Sequence, residues 1–270
     1  MSLVVELIHG IPSWAVGPAC LLGFALPAMG GLWLVQRSIH ERITVGETLI
    51  DNGVVGWFFS GVLTIYGITL GLIAVTTWES SSEVEGITSR EAATIAALYR
   101  DAGGLPSPLR EELRVKLREY TRFVIEKEWP AQRRGEILNG GRPILYGFQN
   151  PLYANEPSTE GQRILQAEAI RTFNELVELR RQRTEAVDHG VPDEIWAVIL
   201  LGGALTIATS FCFQIQQFRF HLLLTTGLAA MIAMLVFLIA ALDRPYRGAV
   251  GVEPTAYQII LDGAMAGSEK

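Results

Sequence analysis

Four apolar stretches without a single charge punctuate the chain in two pairs, Trp14 to Val35 with Val54 to Trp78, and Ile195 to Phe213 with Leu222 to Leu242. Each reaches roughly the 18 to 25 residues needed to cross about 30 Å of hydrocarbon, and none contains Asp, Glu, Lys or Arg. The pattern predicts four membrane-spanning helices. Between the pairs lies a charged stretch of about 115 residues, Glu79 to Glu194, whereas Gln36 to Gly53 and Gln214 to His221 are short enough to be hairpin connections only. The expected organisation is a first transmembrane hairpin over 1–78, a helical domain over 79–194, a second hairpin over 195–242 and a tail over 243–270.

The charged stretch also reads as helix, which makes the predicted fold class all-α. No proline follows Glu79 until Pro106, so the second apolar helix is expected to continue to about Gly103 and Gly104. From Val54 to Ala102 that single helix would be about 70 Å long, with Gly86 its weakest position. A second helix is expected from Ser107 as N-cap and Pro108 as first residue, with Leu109, Leu113, Leu117, Tyr120 and Val124 on one face, ending at Trp129-Pro130. Gly, Pro and Asn from Gly135 to Pro157 predict a loop, and a third helix runs from about Ser158 to a stop at Gly190. Its Ile164, Phe173, Val177 and Val187 suggest a buried face, while Arg180 to Arg183 are expected to be solvated or to meet lipid headgroups. The late segment VEPTAYQIIL is amphipathic and is expected to fold back on the inserted domain.

An even number of crossings puts both termini and the insert on one side. Near the helix ends that side carries Arg90, Arg180, Arg181, Arg183, Arg244 and Arg247, against Arg37, Arg42 and Arg219 in the hairpins, so the insert and both termini are expected to be cytoplasmic. The N-terminal MSLVVELIHG lacks the basic residues of a cleavable signal, and the first helix is expected to persist in a protein of the bacterial inner membrane.

Composition narrows the function classes. The net charge of −6 argues against nucleic acid, and 49% hydrophobic against 19% charged residues fits a membrane protein. Cys20 and Cys212 have no partner spacing for a disulfide or metal framework, and His9, His40, His189 and His221 are scattered. No metal or cofactor is expected. The apolar stretches hold none of the buried carboxylates of proton pumps, and no P-loop, G-x-S-x-G or H-E-x-x-H is present, so nothing supports an enzyme.

The second stretch carries the candidate site. Ser60, Thr64, Gly67, Gly71 and Ala74 recur at alternating four and three spacing, with Gly67 and Gly71 forming a G-x-x-x-G. Close helix packing accounts for such a stripe, since small residues let backbones approach. A neighbouring stripe, Thr64, Ile68, Gly71, Leu72, Val75 and Glu79, supports a second reading as the lining of an axial pathway with an apolar, dewetting constriction. Glu79, Glu83 and Glu85 then become carboxylate rings in a symmetric oligomer and gather cations at the pore mouth; in one protomer they are a solvated helix surface. At the end of the fourth stretch, Asp243, Arg244, Pro245, Tyr246, Arg247 and Gly248 form a stop at the membrane interface, with the arginines suited to anionic lipid and Asp243 placed to pair with Arg244 or a neighbouring helix.

LGLIAVTTWESSSEVEGITSREAATIAALYRDAGGLP, REYTRFVIEKEWP and LDRPYRGAVGVEPTAYQIIL together resemble the bestrophin-like family, a domain of unknown function. The resemblance spans nearly the whole chain and is most specific at Trp78-Glu79, Arg90-Glu91, Leu98-Tyr99-Arg100, Glu128-Trp129 and Asp243 to Gly248. Bestrophins themselves are pentameric ion channels with four membrane helices per subunit, the second forming an apolar neck. The resemblance implies a homo-oligomer, a pentamer, passing monovalent ions through a neck near Thr64, Ile68 and Leu72. The chain departs from true bestrophins after the neck, where Trp78 is followed by Glu-Ser-Ser-Ser-Glu, and it has no recognisable acidic calcium clasp. The competing reading is a membrane scaffold whose helical domain docks a partner. Pore geometry separates the two: second helices facing a common axis favour the channel, whereas a G-x-x-x-G stripe buried within one protomer with no axial cavity favours the scaffold.

Overall fold

The computed structural model describes residues 13–40, 51–188, 190–247 and 251–266. Among these the regular structure is entirely helical, as the sequence predicts. In chain order the elements are α1 (Ser13–His40), α2 (Asn52–Gly103), α3 (Leu109–Phe123), a π-helical segment (Val124–Glu128), α4 (Trp129–Arg133), α5 (Gly141–Ala154), α6 (Glu160–Glu185), α7 (Asp193–Ser210), α8 (Phe218–Leu242) and α9 (Thr255–Asp262). The chain forms two compact units, Met1–Glu79 with Gly190–Asp243, and Ser80–His189 with Arg244–Lys270. Helix α2 contributes residues to both, unbroken at Gly86.

The first unit holds α1, the N-terminal part of α2, α7 and α8, each long and apolar enough to cross a membrane. Ala28, Tyr66, Leu70, Trp196, Ile199, Ile207, Ile232, Val236 and Ile239 form its core. Polar groups in such a setting must find partners within the protein, because hydrocarbon offers none. Accordingly the Tyr66 hydroxyl donates to the Ile199 carbonyl at 2.8 Å. Gly202 makes room for the ring, since a Cβ there would come within 2.6 Å of Tyr66. Asn52 and Gln214 exchange two bonds of 2.8 Å, tying the start of α2 to the α7–α8 connection. The buried His221 ring bridges Gln36 at 3.2 Å and the Ser210 carbonyl at 3.0 Å.

Helix ends differ from the apolar limits. α7 starts two residues before Ile195 and α8 begins at Phe218, because a helix continues through flanking polar residues such as Asp193, Glu194 and Arg219 that a charge-free window leaves out; α7 stops at Ser210, short of Phe213, where the chain turns. Most of the first hairpin connection lies outside the described residues.

The second unit departs from expectation in several places. The predicted loop from Gly135 to Pro157 contains α5, whose Leu145, Phe148 and Leu152 are buried; packing overrides the turn-forming composition, and Pro143 falls in the first turn where its missing N–H costs nothing. Helix α3 begins one residue later than expected, with Pro108 rather than Ser107 at the N-cap and no side-chain cap. It does not end at Trp129-Pro130. The chain passes through the π-helical segment into α4, which puts Pro130 in a first turn where no N–H is needed. Helix α6 is capped by Thr159, whose hydroxyl accepts from the Gln162 N–H, and it ends at Glu185, before Gly190. Ile164 and Val177 are exposed, 63% and 42%; the buried face of α6 is Gln166, Ala169, Phe173, Leu176, Leu179, Arg180 and Arg183. The late amphipathic segment forms α9, and its Tyr257 is fully buried in the core of this unit, as expected.

Candidate functional site

Helix α2 is asymmetric where it belongs to the first unit. Tyr66, Leu70 and Thr77 are buried, with Ile73 and Ala74 half-buried beside them. At about 100° per residue these share one arc. Thr64, Ile68, Gly71, Leu72 and Val75 occupy the opposite arc and all are exposed, Ile68 by 61%, Leu72 by 64% and Val75 by 52%. Ser60 and Gly67 are also exposed, on the shoulder between the two arcs. A Cβ added at Gly67 or Gly71 would meet no described atom within 4 Å, so the G-x-x-x-G is not a contact between helices of one protomer. Glu79 and Glu83, further along α2, are exposed too. The structure of one chain thus leaves the candidate pore residues together on an unpartnered apolar face. Only 11% of the apolar window of α2 is buried, the same as for α1, against 39% for α7 and 33% for α8.

The second unit is organised around a buried ionic cluster that the sequence reading missed. Arg183 lies at its centre with 0% side-chain exposure. Its Nε donates to Glu91 Oε2 at 2.6 Å and its Nη2 to Glu128 Oε2 at 2.7 Å. Arg180 donates to the other Glu128 oxygen at 2.8 Å, and the Tyr120 hydroxyl donates to Glu91 Oε1 at 2.7 Å. Two carboxylates and two guanidinium groups cancel in charge, and so the cluster can be dry. Burial works against the charge on Arg183, yet Glu91, Tyr257, Tyr120 and Glu128 around it hold its pKa well above the ordinary arginine value. Burial, reinforced by Glu91, pushes the phenols of Tyr120 and Tyr257 well up.

Each member is placed by a specific local feature. Glu91 comes from α2, and Glu128 closes the π-helical segment, a wide turn of the kind that often marks special sites. Gly141, at the start of α5, admits the Glu128–Arg180 pair, since a Cβ there would lie 2.7 Å from Glu128 Oε1. Trp129 packs edge-on against Tyr246 and Tyr257 at 5.5 and 5.7 Å, and the Arg183 guanidinium lies 6.0 Å from the Trp129 and Tyr257 rings. The expectation that Arg180 and Arg183 are solvated or meet headgroups is therefore corrected: their spacing of three turns both inward, and only Arg181 stays outside, paired with Glu178 and Glu185. The usable signal was the pair Arg90-Glu91 and Glu128-Trp129, two acidic residues in otherwise buried helical faces.

The segment from Asp243 to Arg247 is held by hydrogen bonds within each unit. Asp243 accepts from the Val191 N–H at the approach to α7, within the first unit. In the second unit, Arg244 donates to the Asp188 carbonyl at 3.1 Å, the buried Tyr246 to the Arg183 carbonyl at 3.2 Å and Arg247 to the Arg134 carbonyl at 3.0 Å. Pro245 is buried and its carbonyl accepts from Val252. Burial and the neighbouring Arg244 pull the Arg247 pKa down. The Arg247 guanidinium lies over Gly135, which has φ +78° and no room for a Cβ. Gly135→Ala is expected to lower stability by about 1 to 3 kcal/mol, read as an earlier thermal transition in mild detergent.

The profile of the bestrophin-like domain matches residues 22–257. The chain belongs to the bestrophin-like family. Among solved structures, a membrane protein crystallised as a proline-to-alanine variant is 13% identical, with a TM-score of 0.68 over 93% of this chain and 99% of its own. A tyrosine-to-alanine variant of a bacterial bestrophin homologue from Klebsiella pneumoniae is 12% identical, with a TM-score of 0.67 over 92% and 99%. An isoleucine-to-threonine variant of that homologue gives 14% and 0.65 over 93% and 98%. These similarities establish the shared fold. No curated protein matches the chain. In this bestrophin-like protein Glu91, Glu128 and the segment from Asp243 to Arg247 all fall within the matched residues 22–257.

Proposed function

We propose that this protein is the subunit of a symmetric homo-oligomeric ion channel, a pentamer, in the bacterial inner membrane. Its α2 helices stand nearest the axis and line the pore with Thr64, Ile68, Gly71, Leu72 and Val75. The observation that carries the reading is the unpartnered arc of α2, apolar and exposed on the side opposite to its packed face. The G-x-x-x-G stripe adds support, because it is open within the protomer among the described residues, and in an oligomer its shoulder faces the neighbouring α2. Family membership supports the same reading, since bestrophins are channels. The pore passes monovalent ions, and catalysis plays no part. The helical domain and both termini lie in the cytoplasm, where Glu79 and Glu83 form acidic rings at the mouth of the pore.

Recording purified protein in planar bilayers tests conduction, and mass measurement in nanodiscs tests assembly. A monomer, or silent bilayers from properly assembled protein, overturns the channel and leaves the partner-docking scaffold. An impermeant thiol reagent applied to intact cells should spare cysteines introduced in the helical domain; labelling there reverses the orientation. Glu79→Gln and Glu83→Gln are each expected to lower cation preference, more strongly at low salt, because the screening length grows from about 8 Å at 0.15 M to about 30 Å at 0.01 M. Reversal potentials at the two salt concentrations measure it.

A further inference from the structure

The first unit contains a cavity of about 470 Å³ that the pore reading does not use. Cys20, Gly23, Pro27 and Ala28 of α1 form one wall, and Trp196, Leu200, Ala204 and Ala208 of α7 another. The α7 residues repeat every four positions and continue to Phe211, so the groove runs about 22 Å along the helix. That is more than half the thickness of the hydrocarbon core. It is long, narrow and apolar. One polar group breaks the pattern: the indole N–H of Trp196, a residue only 2% exposed, has no acceptor among the described residues. An indole N–H can only donate, and burial without an acceptor is unfavourable in a membrane.

We propose that this groove binds one acyl chain of a phospholipid with an amine headgroup, and that the ester carbonyl of that chain accepts the Trp196 N–H. Trp196 is the fourth residue of α7, at the end where the helix begins, and ester carbonyls sit at the membrane boundary rather than at its centre. Asp193 and Glu194, both exposed, precede it in the first turn. Their charge disfavours the carboxylate of a free fatty acid or an anionic headgroup and favours an ammonium. A neutral ester on an amine-headed lipid satisfies both the indole and the acidic pair.

The test uses the full-length protein in nanodiscs containing a trace of phosphatidylethanolamine with a photoactivatable acyl chain, followed by mass-spectrometric mapping of adducts. Parallel samples carry phosphatidylglycerol or a free fatty acid with the same photoactivatable group. Adducts are expected on residues 20–28 and 200–208 from the phosphatidylethanolamine probe and more weakly from the others. Gly23→Leu, whose added side chain enters open space, and Ala204→Phe fill the groove and should each reduce those adducts by about tenfold or more. Trp196→Phe keeps the ring but removes the donor, and should reduce them about threefold to tenfold, the value of one hydrogen bond. Adducts spread evenly over all lipid-facing helices and indifferent to the filling variants would overturn the proposal. So would preferential labelling by the free acid or by phosphatidylglycerol. Disulfide trapping of Cys20 against a cysteine on a second copy, with lipid adducts absent, would instead assign the groove to a subunit contact.

Discussion

Replacing Arg183 by methionine is expected to cost about 3 to 5 kcal/mol of stability, because Glu91 and Glu128 are left charged, buried and short of a partner. The protein should express at a lower level and lose its folded form at markedly lower temperature, as followed by size-exclusion profiles after heating in mild detergent. Methionine nearly conserves volume, so lost packing is the smaller part. The decisive comparison adds Glu91→Gln to the same chain, which leaves Glu128 paired with Arg180 and the cluster neutral. With Glu91 neutralised, the penalty should shrink substantially, since removing both members of a buried pair costs far less than removing one. Equal loss in the single and double variants would mean that Arg183 acts through its stacking on Trp129 and Tyr257 instead.

The largest effect on activity is expected at Ile68 and Leu72. Serine at either position should wet the proposed apolar neck and raise unitary conductance or open probability, because the barrier of such a neck comes from excluding water. The protomer itself should barely respond, with stability changes within about 0.5 kcal/mol, because both side chains are exposed among the described residues. Leu70→Ala provides the contrast. That residue is 1% exposed in the core of the first unit, and its loss should cost about 2 to 5 kcal/mol without producing current. If Ile68→Ser lowers stability as Leu70→Ala does and leaves conductance unchanged, α2 is a packing helix and the pore lies elsewhere.

The sequence made the four apolar helices legible because membrane thickness imposes a length and forbids charge, and both constraints act residue by residue. The continuation of α2 to Gly103 was legible for a similar reason, the absence of any proline before Pro106. Helix α5 was hidden, because its Gly, Asn and Pro content favours turns and only the burial of Leu145, Phe148 and Leu152 holds it together. The ionic cluster was hidden more deeply. Glu91 and Glu128 lie 92 and 55 positions from Arg183, and a charge on a helix face looks solvated until its partner is placed. The candidate pore stripe was visible as spacing, but only coordinates reveal that the described residues of the protomer leave that face of α2 bare.

The π-helical segment from Val124 to Glu128 sets a limit on how this fold can vary. Its wider turn holds one more residue than a regular helix would over the same rise. Deleting a single residue there would yield a more regular helix with better local hydrogen bonds. It would also swing everything that follows by about 100°, carrying Glu128 away from Arg180 and Arg183 and Trp129 away from Tyr246 and Tyr257. The segment therefore works as a spacer whose length matters more than its composition. Exposed positions such as Glu126 and Lys127 are free to change in kind, whereas insertions and deletions between Phe123 and Trp129 put the whole second unit out of phase.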